Sequence, residues 1–165
     1  MKIQNFKFIH SKDFFVIAHN IRSLYNVGSI FRTADAFGVS KVYLTGYTGT
    51  PKNLNHAKKI SKSALGAEKW VDWEYCRFAA KLIKDLKKQK VKIIALENNV
   101  KSTDIGKYKP KFPLALVLGE EVGGVPKPIL KLCDMVVEIP MVGKKESLNV
   151  SVAFGVAAYK ITGAI

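Results

Sequence analysis

Three stretches of the sequence combine polar side chains and glycines in spacings that could bind a ligand, and residues 19–38 are the first. On a helical wheel of residues 26–37 the apolar side chains cluster on one side, and Arg32 points away from them. Asn26 is predicted to cap this helix, and the helix start, Arg22 and Arg32 could together hold a phosphate-sized anion. Periodicity alone favours an ordinary amphipathic helix with an Asn cap and a solvated arginine.

The second stretch, residues 114–126, reads LALVLGEEVGGVP. A buried strand is predicted to end at Gly119, where Glu120 and Glu121 follow before two more glycines. The carboxyl end of a parallel strand is where α/β proteins place ligands, and glycine lets the backbone approach a ligand closely. A plain turn with two solvated glutamates explains the same residues equally well.

The third stretch, residues 138–155, reads EIPMVGKKESLNVSVAFG. Its proline and glycine predict a constrained loop, after which Ser147 and Asn149 lie at the start of the last helix, beside free backbone N–H donors. The alternative is that Ser147 and Asn149 are ordinary N-cap candidates. Capping explains one polar residue at a helix start well, but it explains three of them, Ser147, Asn149 and Ser151, less well.

The elements that must position these residues alternate between apolar strands and helical segments, which is typical of an α/β fold. The strands are continuous apolar runs, as in parallel sheets covered on both faces. We therefore expect a single α/β domain over residues 1–165. Strands are predicted at 14–19, 41–45, 69–73, 91–97, 114–119 and 135–140, helices at 26–37, 75–89, 127–132 and 149–162, and a long functional loop with a short helix at 46–66.

The last predicted helix, VSVAFGVAAYKI, is apolar on nearly every face until Lys160. A helix that is apolar all round must be buried all round. In so short a chain, packing against a second copy would achieve this, so the sequence predicts a homodimer. The alternative is a helix that packs wholly within its own domain.

Composition and charge narrow the class of protein. The chain has 165 residues and a formal net charge of +14, which favours a polyanionic partner such as nucleic acid over an anionic membrane surface. A lysine-rich surface that serves solubility is the alternative. The two cysteines, Cys76 and Cys133, and the absence of a signal-peptide pattern in MKIQNFKFIHSKDFF predict a reduced, cytoplasmic protein without a disulfide framework. No apolar run is long enough to span a bilayer.

Several common sites are missing from the sequence. There is no P-loop and no G-x-G-x-x-G, which argues against a nucleoside triphosphatase and a standard dinucleotide site. The three histidines have no metal-ligand spacing to one another or to the cysteines, so we expect no metal.

Taken together, the three stretches resemble the motifs of the SpoU/TrmH branch of the SPOUT RNA methyltransferases. Residues 26–38 are similar to N-x-x-x-x-x-R-T-A-D-A-F-G, and residues 118–124 to L-G-x-E-x-x-G. Residues 139–153 are similar to I-P-M-x-G-x-x-x-S-L-N-V-S-V-A. The order and spacing match over essentially the whole chain, and the three motifs together are highly specific.

The resemblance implies a Rossmann-like parallel sheet with a deep C-terminal trefoil knot, an exception to the rule that folds are unknotted. It implies a homodimer that binds S-adenosylmethionine (AdoMet) and methylates a ribose 2′-hydroxyl of tRNA or rRNA. The implied catalytic residues are Asn26, Arg32, Glu121, Ser147 and Asn149. The implied cofactor-binding residues are Leu96, Leu118, Gly119, Ile139, Met141 and Leu148.

The RNA-binding surface is expected to be basic, and its candidate residues are Arg22, Lys52, Lys58, Lys59, Lys144 and Lys145. Family members that act on rRNA often carry an additional N-terminal domain, and this chain has about a dozen residues before its first predicted strand. That slightly favours tRNA. Two other functions stay open, namely a SPOUT enzyme that methylates a base and an RNA-binding relative without catalysis. The Asn/Arg pair of the first motif argues against a base methyltransferase. A non-catalytic RNA-binding relative is disfavoured because the implied catalytic residues are all intact, namely Asn26, Arg32, Glu121, Ser147 and Asn149.

Overall fold

Seven parallel strands form one sheet at the centre of the computed structural model, which describes residues 9–99 and 101–163. Their order across the sheet is β3-β2-β1-β6-β4-β7-β5, and the central strands are continuous apolar runs. The strands are β1 (Phe14–His19), β2 (Lys41–Thr45), β3 (Trp73–Cys76), β4 (Lys92–Leu96), β5 (Thr103–Asp104), β6 (Leu114–Leu118) and β7 (Met135–Glu138).

Helices cover both faces of the sheet, because alternate residues of each strand point to opposite sides. Phe14 and Val16 of β1 pack into the core cluster that contains the buried residues of three helices, α1 (Leu24–Ala36), α2 (Leu54–Ala64) and α5 (Val150–Thr162). Phe15 and Ile17 pack on the other face, against α3 (Ala79–Lys88) and α4 (Lys127–Leu130).

Side-chain caps fix where three of the helices begin. Ser23 caps α1 by accepting a hydrogen bond from the backbone N–H of Asn26, and Asn53 caps α2 through the N–H of Asn55. Asn149 caps α5 by accepting from the N–H of Ser151. Such caps satisfy backbone donors that have no partner within the helix.

The predicted parallel α/β sheet is confirmed, but several element boundaries are wrong. Residues 46–66 are not mainly a loop, because they include α2, which runs from Leu54 to Ala64. The strand predicted at 69–73 is instead Trp73–Cys76, after a short 3₁₀ helix at Ala67–Lys69. Helix α3 begins at Ala79 rather than at residue 75, since the preceding residues complete β3 and its turn. Strand β5 was not predicted. The single domain was predicted over residues 1–165, of which residues 1–8, 100 and 164–165 lie outside the described residues.

The parallel arrangement gives the sheet one edge where all carboxyl ends meet. The segments after β1, β6 and β7 all leave from this edge, and they contain the three stretches singled out above. The fold therefore brings together residues that lie far apart along the chain.

Candidate active site

The carboxylate of Glu121 joins the turn after β6 to the start of α1. It accepts hydrogen bonds from the backbone N–H groups of Arg22 and Ser23, both at 3.2 Å. It also accepts one from the side-chain amide of Asn26, at 2.8 Å. The predicted role of Asn26 as helix cap is wrong, because Ser23 is the cap and Asn26 lies within the first turn. The Asn26 side chain instead binds the Glu121 carboxylate.

Asn26 connects the same site to the start of α5. The Asn149 amide donates to the Asn26 side-chain oxygen at 3.1 Å, and the Asn149 oxygen accepts from the N–H and hydroxyl of Ser151. Glu121, Asn26 and Asn149 thus form one hydrogen-bonded chain, which we call the amide bridge. It ties the amino ends of two neighbouring helices to the turn after β6.

The amide bridge changes the acidity of Glu121. Burial alone would raise the pKa of this carboxyl, but the hydrogen bonds from the Asn26 amide and from backbone N–H groups outweigh that and lower the pKa. Glu121 is therefore ionised near neutral pH and acts as an acceptor. The carboxylate occupies the backbone N–H groups of Arg22 and Ser23, which lie just before the first turn of α1. Binding of a phosphate at the start of α1 stays a prediction.

Beside the amide bridge lies a cleft of about 270 Å³. Its wall is built from the segments that follow β4, β6 and β7 and from the start of α5. All six residues predicted to bind a cofactor line it, namely Leu96, Leu118, Gly119, Ile139, Met141 and Leu148. Glu121, Ser147 and Asn149 line it as well.

Two glycines allow the turn after β6 to fold closely on itself. A Cβ atom on Gly119 would overlap the backbone of Gly124 and Val125. Gly124 adopts a φ of 65°, and a Cβ atom there would overlap the carboxylate of Glu97. A side chain at either position would close the wall of the cleft or displace its backbone.

Glu97 is a cleft residue that the sequence reasoning missed. Its carboxylate accepts hydrogen bonds from the N–H of Val125 at 2.8 Å and of Asn98 at 2.9 Å, which fixes the turn after β6 against the end of β4. The available signal was an acidic residue directly after a buried strand, which is the same signal that singled out Glu120 and Glu121.

Arg32 lies apart from the cleft. It is exposed on α1, as predicted, and no carboxylate within residues 9–99 and 101–163 forms an ion pair with it. The cleft lining does not include it, and neither does the amide bridge. The described chain therefore brings four of the five predicted catalytic residues to one place and leaves Arg32 outside.

A second polar cluster lies at the outer side of the site. Glu120 accepts a hydrogen bond from the Tyr47 hydroxyl at 3.1 Å and forms an ion pair with the Arg22 guanidinium at 3.2 Å. Buried nearby, the ring of His19 contacts the hydroxyl of Thr45 at 2.9 Å. Burial lowers the pKa of His19, and the charge of Glu120 opposes this only in part. His19 is therefore mainly neutral at pH 7.

The basic residues predicted to contact RNA are all exposed, and they lie on four separate segments of the chain. Lys52 lies over the ring of Trp73, at 5.6 Å from its centre. Arg22 is paired with Glu120, so its charge is partly balanced. Lys58 and Lys59 lie on α2, and Lys144 and Lys145 lie on the loop after β7.

Within residues 9–99 and 101–163, no group of three or more His, Cys, Asp or Glu side chains is placed to hold a metal ion. In the same part of the chain, no helix is long and apolar enough to cross a membrane.

The fold is that of a parallel α/β protein with a glycine-lined cleft and an amide–carboxylate bridge at the carboxyl edge of its sheet. Proteins of this class bind their ligands at that edge. The chain belongs to the SpoU rRNA Methylase family, whose sequence model matches residues 13–159. This confirms the family resemblance seen in the three motifs.

Individual relatives agree with the family assignment. The chain is 32% identical over 149 residues to the tRNA (guanosine(18)-2′-O)-methyltransferase of Aquifex aeolicus, covering 90% of this chain and 68% of that enzyme. It is 30% identical over 148 residues to the Escherichia coli enzyme of the same name, covering 90% and 62%. The chain thus spans about two thirds of the length of these curated relatives.

Solved structures share the fold. The A. aeolicus TrmH/SpoU tRNA modifying enzyme superposes with a TM-score of 0.81 at 31% identity, over 92% of this chain and 75% of that one. An AdoMet-bound rRNA methyltransferase from Sinorhizobium meliloti gives 0.82 at 25% identity, over 92% and 56%.

Proposed function

We propose that this chain is an AdoMet-dependent RNA methyltransferase that transfers a methyl group to a ribose 2′-hydroxyl of tRNA or rRNA. The observation that carries the proposal is the amide bridge of Glu121, Asn26 and Asn149 at the wall of the glycine-lined cleft. Residues of all three family motifs meet there in a chain that belongs to the SpoU family. The curated relatives named above are 2′-O-methyltransferases of tRNA, which favours tRNA over rRNA.

The cleft fits AdoMet by its chemistry. Leu96, Leu118, Ile139 and Leu148 supply apolar walls for an adenine ring, and the close backbone at Gly119 supplies N–H and C=O groups along its edge. When bound, AdoMet supplies a methyl group already activated by its sulfonium. The enzyme then needs mainly to align the hydroxyl and give its proton a route out.

The amide bridge and Arg32 have different tasks in this proposal. Asn26 and Asn149 hold the starts of α1 and α5 beside the cleft, and Glu121 orients Asn26. Arg32 binds the phosphate next to the target ribose and polarises the 2′-hydroxyl. Because a guanidinium stays protonated, the phosphate or a neighbouring group, rather than Arg32, accepts the proton.

A homodimer would bring Arg32 to the cleft. Val152, Val156 and Tyr159 form an exposed apolar strip along α5, and α5 packs side by side with α1, which carries Arg32. A second copy that covers this strip would bury it and bring Arg32 of the partner subunit near the cleft. The dimer therefore completes the catalytic set in this proposal.

The deep C-terminal knot belongs to the same proposal. Strand β7 lies near one side of the sheet, between β4 and β5, whereas α5 packs on α1 in the core cluster beyond β6. The connecting residues 139–149 run past the turn after β6 and the end of β4, with which they line the cleft. That course supports a threaded C-terminus. The single domain and the cytoplasmic location expected from the sequence stay predictions.

The direct test is transfer of label from methyl-labelled AdoMet to unmodified tRNA and rRNA pools, followed by digestion to nucleosides. Label in a 2′-O-methyl nucleoside of tRNA is the expected result. Label in a base would keep the family and overturn the ribose assignment. A chain that binds AdoMet and labels neither pool would contradict the proposed activity.

A further inference from the structure

Three exposed aromatic rings and two arginines lie together at the carboxyl edge of the sheet, next to the proposed active site. They come from the segments after β1 and β2 and from β3 and the turn that follows it, and none belongs to the three motifs' matched residues. We call this surface the aromatic platform; its members are Tyr47, Tyr75, Phe78, Arg22 and Arg77.

Hydrogen bonds hold the two tyrosines of the platform through their hydroxyl groups, and an arginine lies over one face of the phenylalanine ring. The Tyr75 hydroxyl donates to the carbonyl of Gly46 at 2.7 Å, and the N–H of Gly46 donates to the carbonyl of Arg77 at 3.3 Å. The Tyr47 hydroxyl donates to Glu120 and lies 3.5 Å from the Arg22 side chain, which donates to it. The Arg77 guanidinium lies over the Phe78 ring, at 5.5 Å from its centre.

Despite these anchors, the apolar rings remain open to solvent. Tyr47 is 54% exposed, Tyr75 is 43% exposed and Phe78 is 66% exposed. Large aromatic side chains usually bury most of their surface in a core or an interface. Exposed rings interleaved with arginines are the pattern by which proteins stack single-stranded bases and neutralise phosphates.

The platform continues directly into the proposed active site. Tyr47 and Arg22 both contact Glu120, which precedes Glu121 of the amide bridge. From β6 to β3 the sheet order counts three strand spacings, about 14 Å in all, or about four stacked bases. A strand of RNA could therefore lie along the edge with its target ribose at the cleft.

Building on the proposed function, we propose that the aromatic platform stacks the unpaired nucleotides that flank the target ribose. Tyr47 takes the base nearest the cleft, Phe78 takes a base further out, and Arg77 pairs with a phosphate between them. The α5 strip offers a separate face for a second copy, so the platform is left for RNA. Recognition of this kind selects single-stranded segments, such as loops, over continuous duplex.

The test measures binding of the full chain to a short fluorescein-labelled oligouridine and to an abasic ribose-phosphate strand of the same length. Tyr47→Leu and Phe78→Leu keep apolar bulk but remove the ring, and each should weaken oligouridine binding about fivefold or more. Neither should change binding of the abasic strand. Tyr47→Phe keeps the ring and should bind like the wild type.

Matched controls lie at the opposite edge of the sheet, just before β6. Phe112→Leu removes another exposed ring and should leave oligouridine binding unchanged. Arg77→Gln should lower the salt dependence of binding by about one counterion, whereas Lys109→Gln near Phe112 should not. Thermal melting of every variant checks that the fold is kept.

Unchanged oligouridine affinity in Tyr47→Leu and Phe78→Leu would overturn the proposal, and so would equal losses on the abasic strand. A changed oligomeric state by light scattering would assign the platform to protein contacts instead. AdoMet binding, measured separately by calorimetry, should be the same in all variants. A wild-type chain that binds oligouridine as predicted but no AdoMet would contradict the proposed function and not the platform.

Discussion

Helix α1 carries two predicted catalytic residues in contrasting surroundings. Asn26, in its first turn, is held by Glu121 on one side and Asn149 on the other. Arg32, six residues later, is exposed and has no ion-pair partner in the described part of the chain. The partners of Asn26 are thus supplied within a single chain, whereas a partner for the charge of Arg32 must come from another molecule.

The difference separates what folding provides from what binding must provide. A hydrogen-bonded polar network at a cleft wall is organised before a ligand arrives, which lowers the cost of aligning the reacting groups. An unpaired exposed arginine keeps its full charge for a phosphate. The two ends of α1 should therefore respond differently to substitution.

The largest expected effect is on turnover in Arg32→Ala. The variant should lose about 100-fold or more in the rate of methyl transfer, because the phosphate and hydroxyl lose their charged donor. Its AdoMet affinity and melting temperature should stay at wild-type values, since Arg32 is exposed and outside the cleft. Single-turnover kinetics measures the rate of methyl transfer, and calorimetry measures the AdoMet affinity and the melting temperature.

Arg32→Lys is the matched control for charge. It keeps the positive charge but loses the bidentate geometry of the guanidinium, so we expect turnover to fall about tenfold. Near wild-type turnover in this variant would show that charge alone is enough and would contradict the proposed geometry.

The second prediction concerns the apolar strip on α5. Val156→Asp introduces a charge into the surface proposed to be covered by a second copy, so it should yield monomers and reduce turnover at least about tenfold. Light scattering reports the mass, and AdoMet binding checks the cleft. Lys160→Asp, a charge change at an already polar position of the same helix, is the control. A Val156→Asp chain with the mass of the wild type would contradict the role of the strip.

The third prediction concerns the other end of α1. Asn26→Ala should reduce turnover about tenfold and, unlike Arg32→Ala, also lower the free energy of unfolding by about 1 kcal/mol. The stability loss arises because Glu121 and Asn149 each lose a hydrogen-bond partner. Denaturant unfolding measures it, and equal stability of the two Ala variants would remove the contrast between the two ends.

The smallest expected effect is a pH dependence of stability that comes from Glu121. Its folded pKa is lower than the ordinary value of 4.5, so the folded state binds fewer protons than the unfolded chain. The stabilisation is complete above pH 4.5 and is lost as the pH falls through the lowered folded pKa. Glu121→Gln should flatten this part of the acid unfolding curve, while the contributions of Asp85 and Asp134, whose pKa values are also lowered, remain.

Strand positions could be predicted from the sequence, because long apolar runs have few alternatives in a parallel sheet. The cofactor-binding residues, in contrast, were predicted from the family resemblance of the three motifs. Strands β1, β2, β4 and β6 lie where the patterns put them, and the six predicted cofactor residues share one cleft. The length of α2 was underestimated, because its sequence, LNHAKKISKSA, is mostly polar and its apolar side, buried against α1, is narrow.

The partners of individual polar groups could not be predicted. Ser23 and Asn26 are both good caps by residue type, and only the fold places Glu121 where it draws the Asn26 amide away from the helix start. The role of Glu97 depends in the same way on a turn that is distant in sequence. The periodicity of α1 correctly predicted that Arg32 points outward, since that depends on local geometry alone.

The most direct test of the central claim mixes Arg32→Ala and Asn149→Ala chains, each impaired by itself, after unfolding and refolding together. If the active site joins Arg32 of one copy to the amide bridge of another, each mixed dimer regains one intact site. Equal mixing should then restore about one quarter of wild-type turnover. Activity that stays at the mean of the two variants would contradict the account, because it would place Arg32 and Asn149 in the same copy's site.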